Sequence, residues 1–108
     1  MNSTVDINLK DSIKNIFNSH KPSDIHLGTD KKISIRVNGE MLQASEQQIN
    51  EKSIQKFIFD NLNDKDKNLF EDKGSVDFAI EIDSIRFRAN AYKTLKGIFC
   101  VLRIIPTI

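Results

Sequence analysis

The sequence predicts an α+β fold, in which three helices accompany a largely antiparallel sheet of about six strands. Apolar residues recur at helical spacing in three segments and alternate with polar residues in most of the others. Two of the alternating segments are joined by Asn38-Gly39, a strong hairpin signal because both residues tolerate positive φ. At 108 residues the chain is long enough for one packed core, so we expect a single domain.

The first half of the chain reads as one helix and three strands. The first helix is predicted by apolar residues on one helical face, namely Leu9, Ile13, Ile16 and Phe17. "HKPSD" ends it, because Pro22 disfavours helix in the residue before it. Strands are predicted in "DIHLG" (24–28), "ISIRV" (33–37) and, after the Asn38-Gly39 turn, "EMLQA" (40–44).

The second half reads as two helices and three strands. Asn50 is the predicted N-cap of a helix whose buried face is Ile54, Phe57, Ile58 and Leu62. "DKDKNLFEDK" predicts a third helix that starts at Asp64 and ends before Gly74. "VDFAIEI" (76–82) and "IRFRANAY" (85–92) alternate as strands do, and "IFCVLRII" (98–105) is apolar enough for a central strand covered on both faces.

The charge is balanced overall and uneven along the chain. Sixteen basic and 15 acidic residues give a formal charge of +1, so the composition predicts no bulk attraction to nucleic acid. Residues 46–83 hold ten acids and five lysines. After Ser84 every charged residue is basic, these being Arg86, Arg88, Lys93, Lys96 and Arg103. The basic C-terminal part is therefore where an anionic partner is expected.

No catalytic or metal-binding pattern is recognisable in the sequence. The four glycines, at positions 28, 39, 74 and 97, do not form a G-x-x-x-x-G-K-[ST] phosphate loop. His20 and His26 lack companions for a metal site, and we expect structural or surface roles for both. Cys100 lies in an apolar run and is expected to be a small buried hydrophobe. A polar N-terminus and short apolar runs predict neither a signal peptide nor a membrane span, hence a cytoplasmic location.

The arginines of "RFRANAY" (86–92) can be placed by hairpin register. If Asp83-Ser84 is a two-residue loop, opposed positions add to 167, which sets Arg86 opposite Glu81 and Arg88 opposite Ala79. Arg86 then has a partner for a cross-strand ion pair. If the "TLKG" loop (94–97) closes so that opposed positions add to 191, Arg88 lies beside Arg103. Arginine forks suit phosphate oxygens, so this face is either an anion site or a solvated basic surface.

Five segments in this order resemble one protein family, namely "SDIHL" (23–27), "IRVNGE" (35–40), "LFEDKGSVDFAIEI" (69–82), "RFRANAY" (86–92) and "LRIIPT" (102–107). Together they resemble the N-terminal domain of the PilT-like type IV pilus retraction ATPases, within the type II/IV secretion ATPase superfamily. The resemblance covers residues 7–108. It implies a PAS-like domain, assigned to residues 1–108, that precedes a RecA-like ATPase core absent from this chain.

The resemblance also implies a function. Such ATPases are cytoplasmic homohexamers, bound at the inner membrane through the pilus or secretion machinery. Nucleotide turnover moves their two domains, drives pilus retraction and hence supports twitching motility. The N-terminal domain is not an enzyme alone; it packs on the cores of its own and neighbouring subunits. ATP and Mg are the cofactors of the full-length protein, and none is expected for the isolated domain. The arginines implied at the ATP cleft are Arg36, Arg86, Arg88 and Arg103.

Two departures from the family pattern keep other interpretations open. Where family members often have a Gly-x-Pro-Pro segment this chain has "GTDKKIS" (28–34), and Asn38-Gly39 replaces a frequent Asp-Gly turn. The alternatives within the superfamily are a pilus-assembly, type II or type IV secretion ATPase. Outside it, the alternative is a free-standing PAS-like module that binds a small ligand. Neither nucleic acid nor metal is expected to bind this chain.

Overall fold

The computed structural model describes residues 4–5 and 8–106, which contain ten helices and strands. The elements in chain order are β1 (Thr4–Val5), α1 (Leu9–His20), β2 (Asp24–Gly28), β3 (Lys31–Val37), β4 (Glu40–Ile49), α2 (Glu51–Asp60), α3 (Asp64–Lys73), β5 (Ser75–Ile82), β6 (Ile85–Thr94) and β7 (Gly97–Ile104). The α+β class and the three helices are as predicted.

All strands form one sheet, in the order β1-β4-β3-β2-β7-β6-β5. Every pair is antiparallel except β1 with β4. Asn38 and Gly39 have φ of 50° and 82°, and Asp83 and Ser84 have φ of 53° and 70°, so both predicted two-residue turns have the positive φ angles of a type I′ turn. The chain thus builds two antiparallel groups, and pairing of β2 with β7 joins them.

The helices cover one side of the sheet, which we call the covered face. Phe17 of α1 meets Phe87 of β6 edge to face, with ring centroids 6.2 Å apart. Helix α2 contacts β2 and β7, and α3 contacts β5. Alternate strand residues fill the core beneath them, among them Ile25, Ile35, Ile80, Phe87 and Leu102. The other side of the sheet, the open face, carries Arg36, Asp24, His26, Arg103, Arg86 and Arg88.

Local sequence explains where the helices start and stop. The side chains of Asn8, Asn50 and Asn63 accept hydrogen bonds from the backbone N–H three residues on, which satisfies one free donor at each start. Lys21 and Gly74 close α1 and α3 in the left-handed conformation, with φ of 50° and 76°. The Asn50 cap and the Gly74 stop are as predicted. Asn8 and Asn63 were not predicted as caps, although asparagine is among the preferred cap residues.

Three features of the sheet differ from the sequence prediction. Strand β1 was not predicted, because a two-residue strand leaves no periodic pattern. Strand β4 continues beyond Ala44 to Ile49, through a polar segment that a register shift between Lys32 and Ser34 accommodates. Strand β7 is central in the sheet, but only Ile98, Cys100 and Leu102 are buried in it. Arg103 is exposed, so the prediction of cover on both faces was wrong.

Within residues 4–5 and 8–106, none of the helices combines the length and apolar character that spanning a membrane requires.

Candidate functional site

The registers of the two hairpins that contain β6 determine which residues lie beside its arginines. Paired positions of β5 and β6 add to 167, so Arg88 faces Ala79. Paired positions of β6 and β7 add to 191, so Arg88 also lies beside Arg103. The predicted register of β5 with β6 is confirmed, and the register of β6 with β7, which the sequence left open, is the one that pairs Arg88 with Arg103. Two guanidinium groups therefore occupy neighbouring positions on the open face, an arrangement that costs electrostatic energy unless an anion is near.

Pairing of β2 with its two neighbours extends this arrangement across the sheet. Asp24 is opposite Arg36 on β3 and opposite Arg103 on β7. Arg36, Asp24, Arg103 and Arg88 thus lie side by side on four adjacent strands, and we call this set the arginine row. Because adjacent strands lie about 4.8 Å apart, the backbone positions of the row span about 14 Å. Three positive side chains and one carboxylate give the row a formal charge of +2.

Two of the three arginines in the row already have protein partners. Arg103 Nη2 donates to Asp24 Oδ2 at 3.3 Å, joining a carboxylate side chain that is 11% exposed to a guanidinium that is 71% exposed. Arg36 Nη1 donates to the Gly39 carbonyl oxygen at 3.1 Å. Arg36 is therefore fixed to the turn that follows its own strand, whereas the Arg103 side chain keeps most of its surface in solvent.

Arg88 and Arg86 remain without such partners. Among the residues that the structure describes, neither guanidinium group makes a hydrogen bond or an ion pair. The predicted register of Arg86 opposite Glu81 is confirmed, but the ion pair expected from it does not form. Both side chains are exposed, and an exposed pair gains too little to offset the entropy of holding two long side chains. Asp77, a diagonal neighbour of Arg88, instead accepts a hydrogen bond from Asn90 Nδ2 at 2.8 Å.

The opposite end of the open face is aromatic. Tyr92 and Phe99 stack with ring centroids 5.6 Å apart, and the Phe99 ring lies against Gly28, where an added Cβ would be 2.6 Å from Cδ2. His26 lies between Gly28 and Asp24, and its Nε2 atom is buried without a hydrogen-bond partner among the described residues. The open face therefore changes from apolar at the Gly28 end of β2 to charged at the Asp24 end.

The structure offers binding chemistry rather than a reactive centre. Burial raises the pKa of the Cys100 thiol to about 12, so this cysteine stays protonated and inert at neutral pH, as expected of a buried hydrophobe. Within the described part of the chain, no group of three or more His, Cys, Asp or Glu side chains could hold a metal ion. A groove of about 630 Å³ between α1 and α2 lies on the covered side, away from the arginine row. The available arginine N–H donors suit phosphate oxygens.

Sequence reasoning named Arg36, Arg86, Arg88 and Arg103, and the structure places all four on the open face. It brings Arg36, Arg88 and Arg103 into one row, and Arg86 lies two residues from Arg88 on the same side of β6. Whether they contact nucleotide stays a prediction. The residue that sequence reasoning missed is Asp24, because its position depends on the long-range pairing of β2 with β7.

Sequence comparison finds relatives among pilus motors. The chain is 34% identical over 86 residues to the type IV pilus retraction ATPase PilT of Pseudomonas aeruginosa, and 30% identical over 74 residues to a twitching motility protein of Neisseria gonorrhoeae. These matches cover 79% and 68% of this chain, but only 25% and 20% of the relatives. The chain thus spans a quarter or less of the curated relatives it matches. No family model matches it.

Solved structures agree with the sequence comparison. The crystal structure of the pilus retraction motor PilT with bound ADP aligns with a TM-score of 0.83 at 25% identity, over 94% of this chain and 30% of that one. The ATPase DotB of Legionella pneumophila aligns with a TM-score of 0.78 at 22% identity, over 92% of this chain and 28% of its own. This second likeness shows the fold alone. The chain is therefore a homologue of the type IV pilus retraction ATPase PilT, consistent with an N-terminal domain.

Proposed function

We propose that residues 1–108 form the non-catalytic N-terminal domain of a hexameric type IV pilus retraction ATPase, and that the open face of the sheet is turned toward ATP bound on a RecA-like core. The observation that carries the proposal is the pair of adjacent arginines, Arg88 and Arg103, of which Arg88 is unpaired among the described residues. The chain is homologous to PilT, one structure of which contains bound ADP, and this favours a nucleotide as the anion that the arginines bind.

The arginine side chains of the open face offer N–H donors, which bind phosphate oxygens and cannot coordinate a metal ion. Arginine presents planar N–H forks that match two oxygens of a phosphate group, and it keeps its charge at every physiological pH. Arg88, Arg103 and the neighbouring Arg86 would hold the phosphates from the open face and neutralise part of their charge. Mg²⁺, which prefers oxygen ligands, would be held by residues outside the described part of this chain. Arg36 is less available to a phosphate, because its guanidinium already donates to the Gly39 carbonyl oxygen in the turn after β3.

In the proposed mechanism, the N-terminal domain and the ATPase core each hold part of the bound ATP. A core that carries the phosphate loop would bind ATP, and the arginines would attach the N-terminal domain to the phosphates that change on turnover. Loss of a phosphate removes the ligand that links the two domains, so they can shift relative to each other and transmit the step to a neighbouring subunit. A pilus retraction ATPase would act in the cytoplasm, peripheral to the inner membrane, where the pilus machinery lies.

The coding sequence beyond Ile108 provides the first test. We expect a RecA-like core with a G-x-x-x-x-G-K-[ST] motif to follow in the same reading frame. A reading frame that ends near Ile108 would instead favour a free-standing module. The likeness to DotB is one of fold only, so a secretion ATPase of the same architecture is the alternative if pilus genes are absent from the neighbourhood.

Arg88→Ala in the complete gene product provides the second test. Loss of a charge-assisted hydrogen bond to phosphate costs about 1.5–3 kcal/mol, or roughly a 10- to 150-fold loss in ATP turnover or affinity. Lys96→Ala is the matched control, because Lys96 is an exposed cation at the β6–β7 turn, outside the arginine row. Unchanged ATP affinity and turnover in Arg86→Ala, Arg88→Ala and Arg103→Ala would contradict the nucleotide-facing role.

A further inference from the structure

Asp24 is the acidic member of the arginine row, and the sequence gives no reason for its position. Its carboxylate side chain is only 11% exposed although β2 reaches the open face there, and it lies between Arg36 and Arg103. A carboxylate beside a phosphate site would be expected to repel the ligand. We propose that Asp24 is instead a positioning residue, which holds one edge of the Arg103 guanidinium so that its remaining N–H groups are presented, together with Arg88, to a phosphate group. This inference rests on the proposed function.

The backbone around Asp24 is fixed on both sides. The Ser23 N–H donates to the Arg36 carbonyl oxygen at 2.9 Å, and the Ile104 N–H donates to the Ser23 carbonyl oxygen at 3.1 Å. The start of β2 is therefore tied to β3 and to β7 at the level of the arginine row. A carboxylate on such a backbone has little freedom, so it is a rigid anchor for a long and exposed arginine side chain.

The contact between Asp24 and Arg103 leaves most of the guanidinium available. It consists of one donor, Nη2, at 3.3 Å, whereas a guanidinium has five N–H groups. The Arg103 side chain is 71% exposed and has Arg88 as its neighbour on the side away from Asp24. An anion above β6 and β7 would meet Arg88 and the free N–H groups of Arg103, and would relieve the repulsion between them.

The alternative role for Asp24 is that of a competitor, which must release Arg103 before phosphate can bind. Burial argues against it. A carboxylate that is nearly buried is strongly destabilised when its partner leaves, so the pair is expected to persist in the complex. The two roles predict opposite effects of removing the Asp24 charge, because a competitor weakens phosphate binding and a positioning residue strengthens it.

The test compares Asp24→Asn with Glu81→Gln in the 108-residue chain, with inorganic tripolyphosphate as the probe. Each variant removes one negative charge from the open face, but Glu81 is exposed and forms no ion pair among the described residues. Charge alone predicts slightly tighter binding in both. Positioning predicts that Asp24→Asn binds tripolyphosphate at least about threefold more weakly than Glu81→Gln, a difference well above the effect of charge alone. Affinities are measured from the arginine Nε–Hε resonances in NMR titrations.

The same spectra give a readout that a purely structural role would not move. In Asp24→Asn the Arg103 Nε–Hε order parameter should fall toward that of a free side chain, while the Arg88 value stays unchanged. Asp24→Asn should also no longer weaken binding once Arg103→Ala has been introduced. Thermal unfolding of each variant shows whether the fold is retained. If Asp24→Asn unfolds, Arg103→Lys replaces it. An ammonium has no planar fork, so it cannot bind Asp24 with one edge and offer a second edge to two phosphate oxygens, and binding should weaken.

The outcomes separate this inference from the function it rests on. Binding by Asp24→Asn as tight as that by Glu81→Gln, with wild-type binding that depends on Arg88, would overturn the role of Asp24 and leave the phosphate site intact. Full affinity in Arg103→Lys would overturn it equally. Failure of the wild-type chain to bind tripolyphosphate, or binding unchanged by Arg88→Ala, would overturn this inference. The phosphate-facing function itself would be overturned by unchanged ATP affinity and turnover of the Arg86→Ala, Arg88→Ala and Arg103→Ala variants of the complete gene product.

Discussion

The two faces of strand β6 meet different demands. On the covered face Phe87, Ala89 and Ala91 are at most 4% exposed and form part of the core. On the open face Arg86 and Arg88 are exposed, and within the described residues their guanidinium groups make neither hydrogen bonds nor ion pairs. Packing accounts for the first set, since only apolar side chains fit there. It does not account for the second, for which lysine, threonine or serine would serve the strand equally well.

The comparison teaches where to look for function in a small sheet domain. Alternate residues of a strand face opposite sides of the sheet, and the requirement to pack a core applies only to the residues on the covered side. The open face is free to be shaped by what it binds. Substitutions on the two faces should therefore separate stability from binding, which the following experiments examine in order of decreasing effect.

Phe87→Ala should give the largest loss of stability. The ring is 1% exposed, belongs to the core on the covered face and meets Phe17 edge to face. Truncating a buried phenylalanine leaves a cavity and costs about 3–5 kcal/mol of unfolding free energy. Urea denaturation followed by circular dichroism measures it. Arg86→Ala, one position away on the open face, is the control and should change stability by less than about 0.5 kcal/mol. Similar costs for the two variants would abolish the distinction between the faces.

Gly28→Ala should have an intermediate effect, and it tests the aromatic end of the open face. The added methyl group would lie 2.6 Å from Phe99 Cδ2, so the ring must shift and its stack with Tyr92 is disturbed. Overpacking of this kind costs about 1–3 kcal/mol. The same substitution in a Phe99→Ala background should cost much less, because the obstructing ring is gone. An equal cost in both backgrounds would show that Gly28 is required for its backbone and not for the ring above it.

The sequence predicted the features of this structure that residues close together in the chain determine, namely the turns, the helices and their ends. Asn38-Gly39 predicted the hairpin of β3 and β4. Asp83-Ser84 predicted the register of β5 with β6, and with it the position of Arg88 opposite Ala79. Apolar periodicity identified the helices, and Asn50 and Gly74 marked ends of two of them. These signals are local, because turn chemistry and side-chain periodicity act over a few residues.

The rest depended on contacts that no local pattern encodes. Asp24 and Arg103 are 79 positions apart in the chain, and they meet because β2 inserts beside β7. The expected ion pair between Arg86 and Glu81 failed for the opposite reason: the register was right, but exposed side chains do not have to use it. The open face of β7 was missed because Phe99 and Val101 are apolar yet only half-buried. Hydrophobicity alone could not distinguish a strand covered twice from one covered once.

Arg88→Ala should have the smallest effect on stability, and its sign is informative. Like charges directly opposite each other on a sheet destabilise it by about 0.2–1 kcal/mol, so removing Arg88 from beside Arg103 should raise the unfolding free energy within that range at low ionic strength. The contact of Asp24 with Arg103 offsets part of the repulsion and favours the lower end. In about 1 M salt the Debye length falls to about 3 Å, and the gain should disappear.

Arg86→Ala is the control for this prediction, because Arg86 faces Glu81 and should show no such gain. Urea denaturation of both variants at low and high salt measures the difference. A loss of stability in Arg88→Ala, or a gain that persists in about 1 M salt, would mean that the aliphatic stem of Arg88 contributes through packing and that its charge is incidental to the fold. A gain that salt removes would show that the chain retains Arg88 at a cost to its own stability, as expected of a residue kept for an anionic ligand.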